Sequence, residues 1–177
     1  MGLDMYFYAR KKEKVAGWNS EDDDYKSFSK WDAEKEGKQD ETDYPEDLKV
    51  LGDYVYKTNF KSSCINEEGY RCYQIGYFRK FNALHGYLCD LDNGRDECQE
   101  ILISKEELLR LLTTLITVDE DHSKAQKLLT ATNGFFFGSL EYDEWYFADV
   151  KEAIEMCKLF LDHFDFDKYD LIYQASW

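Results

Sequence analysis

The chain has 177 residues, 44% apolar and 17% aromatic, with 22 Lys and Arg against 37 Asp and Glu for a net charge of −15. That length can bury a core within one domain, and the charge argues against direct binding to nucleic-acid backbone or an anionic membrane while favouring basic partners. Five cysteines without a C-x-x-C pair, no apolar leader stretch and no run near the roughly 20 apolar residues needed to cross a bilayer lead to the expectation of a reduced, cytoplasmic protein.

The first element is a strand. Leu3, Met5, Phe7 and Ala9 alternate with Asp4, Tyr6, Tyr8 and Arg10, which predicts one fully apolar face. Residues 19–47 then carry twelve acids against four lysines and the only proline, Pro45. Few apolar residues are available to fold this stretch, so it reads as a mobile acidic insertion with a short helical turn around Phe28 and Trp31. Its acids Asp22, Asp23, Asp24, Glu34, Glu36 and Asp40 form a candidate surface for a basic partner.

Two strand-like runs follow, LGDYVYKT (51–58) and GYRCYQIG (69–76), the second entered through a turn at NEEG. Residues 77–89 switch to helical spacing, with Phe78, Phe81, His85 and Leu88 on one line and Arg79, Lys80 and Asn82 off it. Gly86 weakens that helix and marks a close approach by another element. After a polar loop at 90–99, Ser104 and Glu107 have the spacing of a capping box, with Leu108, Leu111, Leu112 and Leu115 facing the core. A shorter helix near 121–131 is expected to end in a left-handed cap at Asn133–Gly134.

The stretch FFFGSLEYDEWY (135–146) reads as a short buried extended segment at Phe135, Phe136 and Phe137, a bend at Gly138 and a helix capped by Asp143, with the Tyr142 ring just outside. The helix over 144–164 would bury Phe147, Val150, Ile154, Cys157, Leu161 and Phe164. The tail KYDLIYQASW is a last strand whose natural neighbour is the first. The elements combine into an α+β fold, a small antiparallel sheet packed against several helices, as a single domain over 1–177 with the acidic insertion at 19–47.

No complete catalytic set is visible, so the balance leans away from an enzyme. GFFFGS lacks both the spacing and the lysine of a phosphate loop. Arg79, Lys80, Asn82 and His85 form a polar-basic group that suits an anion, although a histidine on an apolar line is more often a hydrogen-bonded core residue than a general base. Ser139, Tyr142, Trp145 and Tyr146 stand at a helix start and are candidates for contact with a ligand or partner. His85 and Cys89 share an H-x-x-x-C spacing and Asp90, Asp92 and Asp96 follow, but two ligands on one helical face fall short of a zinc set, so neither metal nor cofactor is expected.

Three passages, MGLDMY at the start, YFRKFNALHGYL in the middle and FFFGSLEYDEWYFADV with the terminal YQASW, resemble a family of small proteins encoded by bacteriophages and prophages. The resemblance spans the whole chain and is weakest between Trp18 and Asp47. Against the family's middle helix, Lys80, Asn82 and His85 match, while Phe81, Leu84 and Tyr87 replace the commoner Ala, Ile and Trp. The block from Phe135 to Tyr146 matches throughout. The resemblance implies an origin rather than a mechanism: an accessory protein in the cytoplasm of a bacterial host. Such a protein would bind and inhibit a basic host or anti-phage defence component, in one form by presenting an acidic surface that mimics nucleic acid. The alternatives are a protein that binds, sequesters or processes a small nucleotide-like ligand, and a structural or assembly accessory. Oligomeric state stays open.

Overall fold

In a computed structural model the chain is described over residues 2–15, 27–29, 44–58, 61–134 and 136–177, with backbone only for 27–29 and 56–58. The fold is α+β. Strands β1 (Asp4–Lys14), β2 (Ser27–Ser29), β3 (Ser62–Ile65), β4 (Tyr70–Arg79), β5 (Ile101–Ile103) and β6 (Tyr169–Ser176) lie in the order β2-β3-β4-β1-β6-β5. β2, β3 and β4 pair antiparallel. The end of β1 bonds back to the start of β4 (Val15 N–H to Gly69 O, 2.9 Å) and to the start of β6 (Lys12 N–H to Lys168 O, 3.2 Å). The helices are α1 (Lys49–Thr58), α2 (Asn82–Asp90), α3 (Lys105–Glu120), α4 (Ala125–Leu128) and α5 (Glu144–His163). Among the described residues no helix is long and apolar enough to cross a membrane.

The chain divides into two compact units. In the unit formed by 7–77 and 163–172, the alternation of β1 buries Phe7 and Ala9. Tyr44 is its pin. The ring is buried, the hydroxyl donates to the carbonyl of Gln74, and it also lies 3.3 Å from the amide N of Ser62. Asp47 accepts from Lys168 (3.0 Å) and Tyr169 (3.2 Å), an arrangement that holds its carboxyl below the usual range against the opposing cost of burial.

Residues 51–58 belong to α1, not to the strand expected there. The alternation of Tyr54 and Tyr56 around Val55 is misleading. The period that decides the element starts earlier, because Leu48, Leu51 and Val55 recur at three and four and are all fully buried. Similarly, Phe28 lies in β2 rather than in a helical turn. Trp31 and the acids Asp22, Asp23, Asp24, Glu34, Glu36 and Asp40 fall outside the described residues.

The other unit holds 1–6, 78–162 and 173–177. Here Leu3 and Met5 of β1 are fully buried, and the Leu3 carbonyl accepts the Lys80 amide at 2.8 Å. The capping box forms as the sequence predicts: the Glu107 amide donates to Ser104 Oγ (3.2 Å) and the Ser104 amide to the Glu107 carboxylate (2.7 Å). Leu108, Leu111, Leu115 and Val118 bury the inner face of α3, with Leu112 only half-buried. The helix predicted over 121–131 is shorter, a 3-10 turn at His122–Lys124 followed by one turn of α4. Leu129 ends it outside the helical region (φ −142°, ψ 68°), and neither Asn133 nor Gly134 takes the left-handed cap. In α5 the buried stripe is Tyr146, Val150, Ala153, Ile154, Met156, Cys157 and Phe160, rotated from the predicted one so that Phe147 and Leu161 are half-buried.

Replacing Ser104 by alanine leaves the third amide of α3, that of Glu107, without its side-chain partner. Denaturant unfolding of Ser104→Ala is expected to show a loss of about 1 kcal/mol with an unchanged denaturant slope.

Candidate functional site

The helix predicted from residue 77 starts only at Asn82, because β4 runs on to Arg79 and Lys80 turns the backbone through the left-handed region (φ 65°). That turn buries the Asn82 side chain, which the sequence placed off the apolar line. Its Nδ2 donates to the carbonyls of Phe137 (3.2 Å) and Ser139 (2.8 Å), and its Oδ1 accepts the amide of Thr132 (3.1 Å). One amide therefore ties down both halves of the loop between α4 and α5.

His85 lies one turn further along α2 and is 1% exposed. Its Nδ1 is 2.6 Å from the Tyr173 hydroxyl and its Nε2 is 3.1 Å from Asp96 Oδ1. An ionised carboxylate only accepts, so in the neutral imidazole Nε2 carries the proton and Nδ1 accepts from the phenol. Burial, then the nearby Cys89 and Asp96, hold the Tyr173 phenol well above its ordinary range, which keeps it a neutral donor. The imidazole and Phe137 meet edge to face with ring centroids 5.1 Å apart. Cys89 lies a turn beyond, its Sγ 3.7 Å from Nε2 and 3.8 Å from Nδ1. Burial and the acids Asp96, Asp90 and Asp92 push this thiol up to about 12, so it is no ready thiolate nucleophile.

A cavity of about 340 Å³ opens beside this group, between His85, Cys89 and Asp96 on one side and Lys127, Leu129 and Thr132 on the other. Gly86 permits the close approach: a Cβ there would run into the Thr132 hydroxyl. Arg79, Lys80, Asn82, Ser139, Tyr142, Trp145 and Tyr146 do not line this cavity.

Those residues serve other ends. Arg79 is exposed, with its guanidinium 3.9 Å from Asp4, and Lys80 is exposed. Ser139 Oγ accepts the Glu141 amide (3.0 Å). Tyr142 accepts the amide of Ala131 (3.1 Å), and the Tyr146 hydroxyl donates to the Leu129 carbonyl (2.6 Å); the two rings meet edge to face. Asp143 caps α5 as the sequence predicts, its Oδ1 accepting the amides of Trp145 (3.1 Å) and Tyr146 (3.0 Å).

The phenylalanine run is not a buried strand. Phe137 is buried, Phe136 sits at φ 71° in a turn and is 46% exposed, and Phe135 lies outside the described residues. Leu140 (44%) and Trp145 (74%) are exposed beside it in the chain. Glu141, Asp143 and Glu144 are exposed on the same segment, and none of them has an ion-pair partner among the described residues. Further along α5, burial followed by Glu152 and Asp143 pushes Asp149 up to about 6, and burial with Glu155 raises Glu152. The sequence placed these acids and aromatics side by side and marked Trp145 as a candidate for contact; what it did not indicate is the exposure of Phe136, which needs the turn there.

Asn82→Ala strands three backbone groups, one of them fully buried, and should cost about 2–3 kcal/mol in chemical denaturation. Asn82→Asp should be worse at pH 8, since a carboxylate would face two carbonyls. Its folded pKa is raised, so the excess cost should shrink as pH falls and the acid protonates. Asp149 obeys the same sign: its charge disfavours the fold above pH 6 and has no effect once both states are protonated below 3.8. Asp149→Asn should therefore stabilise by about 1 kcal/mol at pH 8, discounted for partial solvent exposure, with the gain gone by about pH 4 in paired urea titrations.

Comparison of the chain with family models, with curated proteins and with solved structures returns no match, so the functional reading rests on this geometry and on the sequence itself.

Proposed function

We propose that the protein is an accessory factor of phage or prophage origin that binds and inhibits a host or anti-phage defence protein with a basic surface. The observation that supports this reading is Trp145. It is three-quarters exposed at the start of the longest helix, on a segment that also exposes Phe136 and Leu140 and carries Glu141, Asp143 and Glu144. A large aromatic held on a capped helix end is a rigid anchor, and a solvated tryptophan among carboxylates matches a partner that offers an apolar pocket rimmed by lysine or arginine. The net charge of −15 extends the same preference over long range and steers basic proteins towards the chain.

The histidine supports a binding role over catalysis, since both its ring nitrogens are engaged and the thiol beside it is held protonated. In one form of this activity the acidic surface takes the place of nucleic acid on a DNA- or RNA-binding protein. A second reading, handling of a small ligand, takes support from the cavity at His85. In that reading the ligand would contact the 85–96 and 127–132 segments, not the residues at 139–146.

Affinity capture from bacterial lysate should recover a stoichiometric partner with the wild-type protein, and the purified pair should weaken steeply between low and high salt. The double variant Trp145→Ala with Glu144→Lys should lower affinity by at least about tenfold while the fold is retained. Recovery of the same proteins by the variant, or by a charge-matched control protein, would contradict the proposal. Direct binding to nucleic acid in a gel-shift assay would contradict it as well.

A further inference from the structure

We infer that His85, Cys89 and Asp96 form a zinc-type metal site with an open fourth position facing the adjoining cavity. The Nε2, Sγ and carboxylate oxygen all lie within 4.8 Å of one another. Ordinary zinc bonds are about 2.0–2.1 Å to nitrogen, about 2.0–2.2 Å to oxygen and about 2.3 Å to sulfur. A tetrahedral centre built from those bonds separates nitrogen from oxygen by about 3.3 Å and nitrogen from sulfur by about 3.6 Å. The corresponding distances are 3.1 Å between Nε2 and Asp96 Oδ1 and 3.7 Å between Nε2 and Cys89 Sγ. Two edges thus match those separations in length; because Sγ is also 3.8 Å from Nδ1, the thiol must swing towards the Nε2 side. The ion takes the position of the Nε2 proton, which passes to Nδ1 through solvent, and the Cys89 thiol releases its own proton to solvent as it binds.

The surroundings fit the same assignment. His85 and Cys89 are four residues apart on α2, which is the helical spacing that brings two side chains to one face. Asp96 comes from the following loop. The other imidazole nitrogen is held by the Tyr173 hydroxyl at 2.6 Å. With metal on Nε2, Nδ1–H donates to that oxygen, fixing tautomer and ring orientation as outer partners of metal-bound histidines do. Asp90 and Asp92 add negative charge near the thiol, and Arg95 is engaged with Asp92 at 2.8 Å. One imidazole, one thiolate and one carboxylate suit zinc or cobalt, and the mixture is too soft for calcium or magnesium. Three protein ligands leave a coordination position for water or a small anion, and the cavity of about 340 Å³ gives access to it.

Cobalt(II) titration of the metal-free full chain, followed by zinc competition, tests the site directly. The expected result is one ion per chain, with a thiolate-to-cobalt charge-transfer band in the near ultraviolet that zinc abolishes. Cys89→Ser should remove that band, and Asp96→Asn should weaken binding about 10- to 100-fold. Asp96 sits on an exposed loop, so its variant carries the test if the cysteine variant fails to fold. No saturable binding overturns the inference. So does binding of the same strength and spectrum in the folded variants, which would assign the ion to Cys64, Cys72, Cys98 or Cys157 or to adventitious carboxylates.

Discussion

The buried amide of Asn82 is the interaction on which the candidate surface and the histidine cluster both depend. Lys80 breaks the chain away from β4 at a positive φ, and the first residue of α2 then reaches three backbone groups of the 132–139 segment. A buried amide can satisfy two carbonyls and one N–H at once, which no apolar or singly functional side chain of that size does. With those groups bound, Phe137 is held edge to face with His85 while Phe136 and Leu140 are left facing solvent. The same anchoring explains why the loop needs no regular secondary structure of its own.

Elements governed by a local rule were legible in the sequence. The alternation of β1, the capping box of α3, the Asp143 cap of α5 and the pairing of first and last strands all follow from patterns a few residues wide or from the scarcity of other apolar strand partners. Elements governed by competing patterns were not. Residues 51–58 show aromatic alternation and helical spacing together, and burial of Leu48, Leu51 and Val55 decides for the helix. Three phenylalanines in a row suggested burial, but a left-handed residue at Phe136 sends one of them outward. The partners of His85 were invisible for a different reason: Tyr173 is 88 residues away, and Asp96 is one of several acids in a polar loop. The sequence did indicate that His85 would be a hydrogen-bonded core residue, and its burial agrees with that.

Charge and aromaticity act on different scales in this molecule. The net charge of −15 biases encounters over a Debye length but cannot by itself select one basic partner from another. Selection requires a shaped anchor, the role proposed for the exposed Trp145 beside Glu144. Asp149 and Glu152, both raised by burial and then by neighbouring acids, show that carboxylates crowd one another along the same helix, a cost in folding that a basic partner would relieve. The two proposals are separable, because the cavity at His85 and the exposed segment around Trp145 share no lining residue.

The central claim is that the segment from Phe136 to Asp149 is a recognition face for a basic protein. Its most direct test is the structure of the complex with the captured partner. The account predicts Trp145 buried in a pocket of that partner, with lysine or arginine side chains against Glu144 and Asp149. A partner seated on another surface, with Trp145 still exposed to solvent, would contradict it.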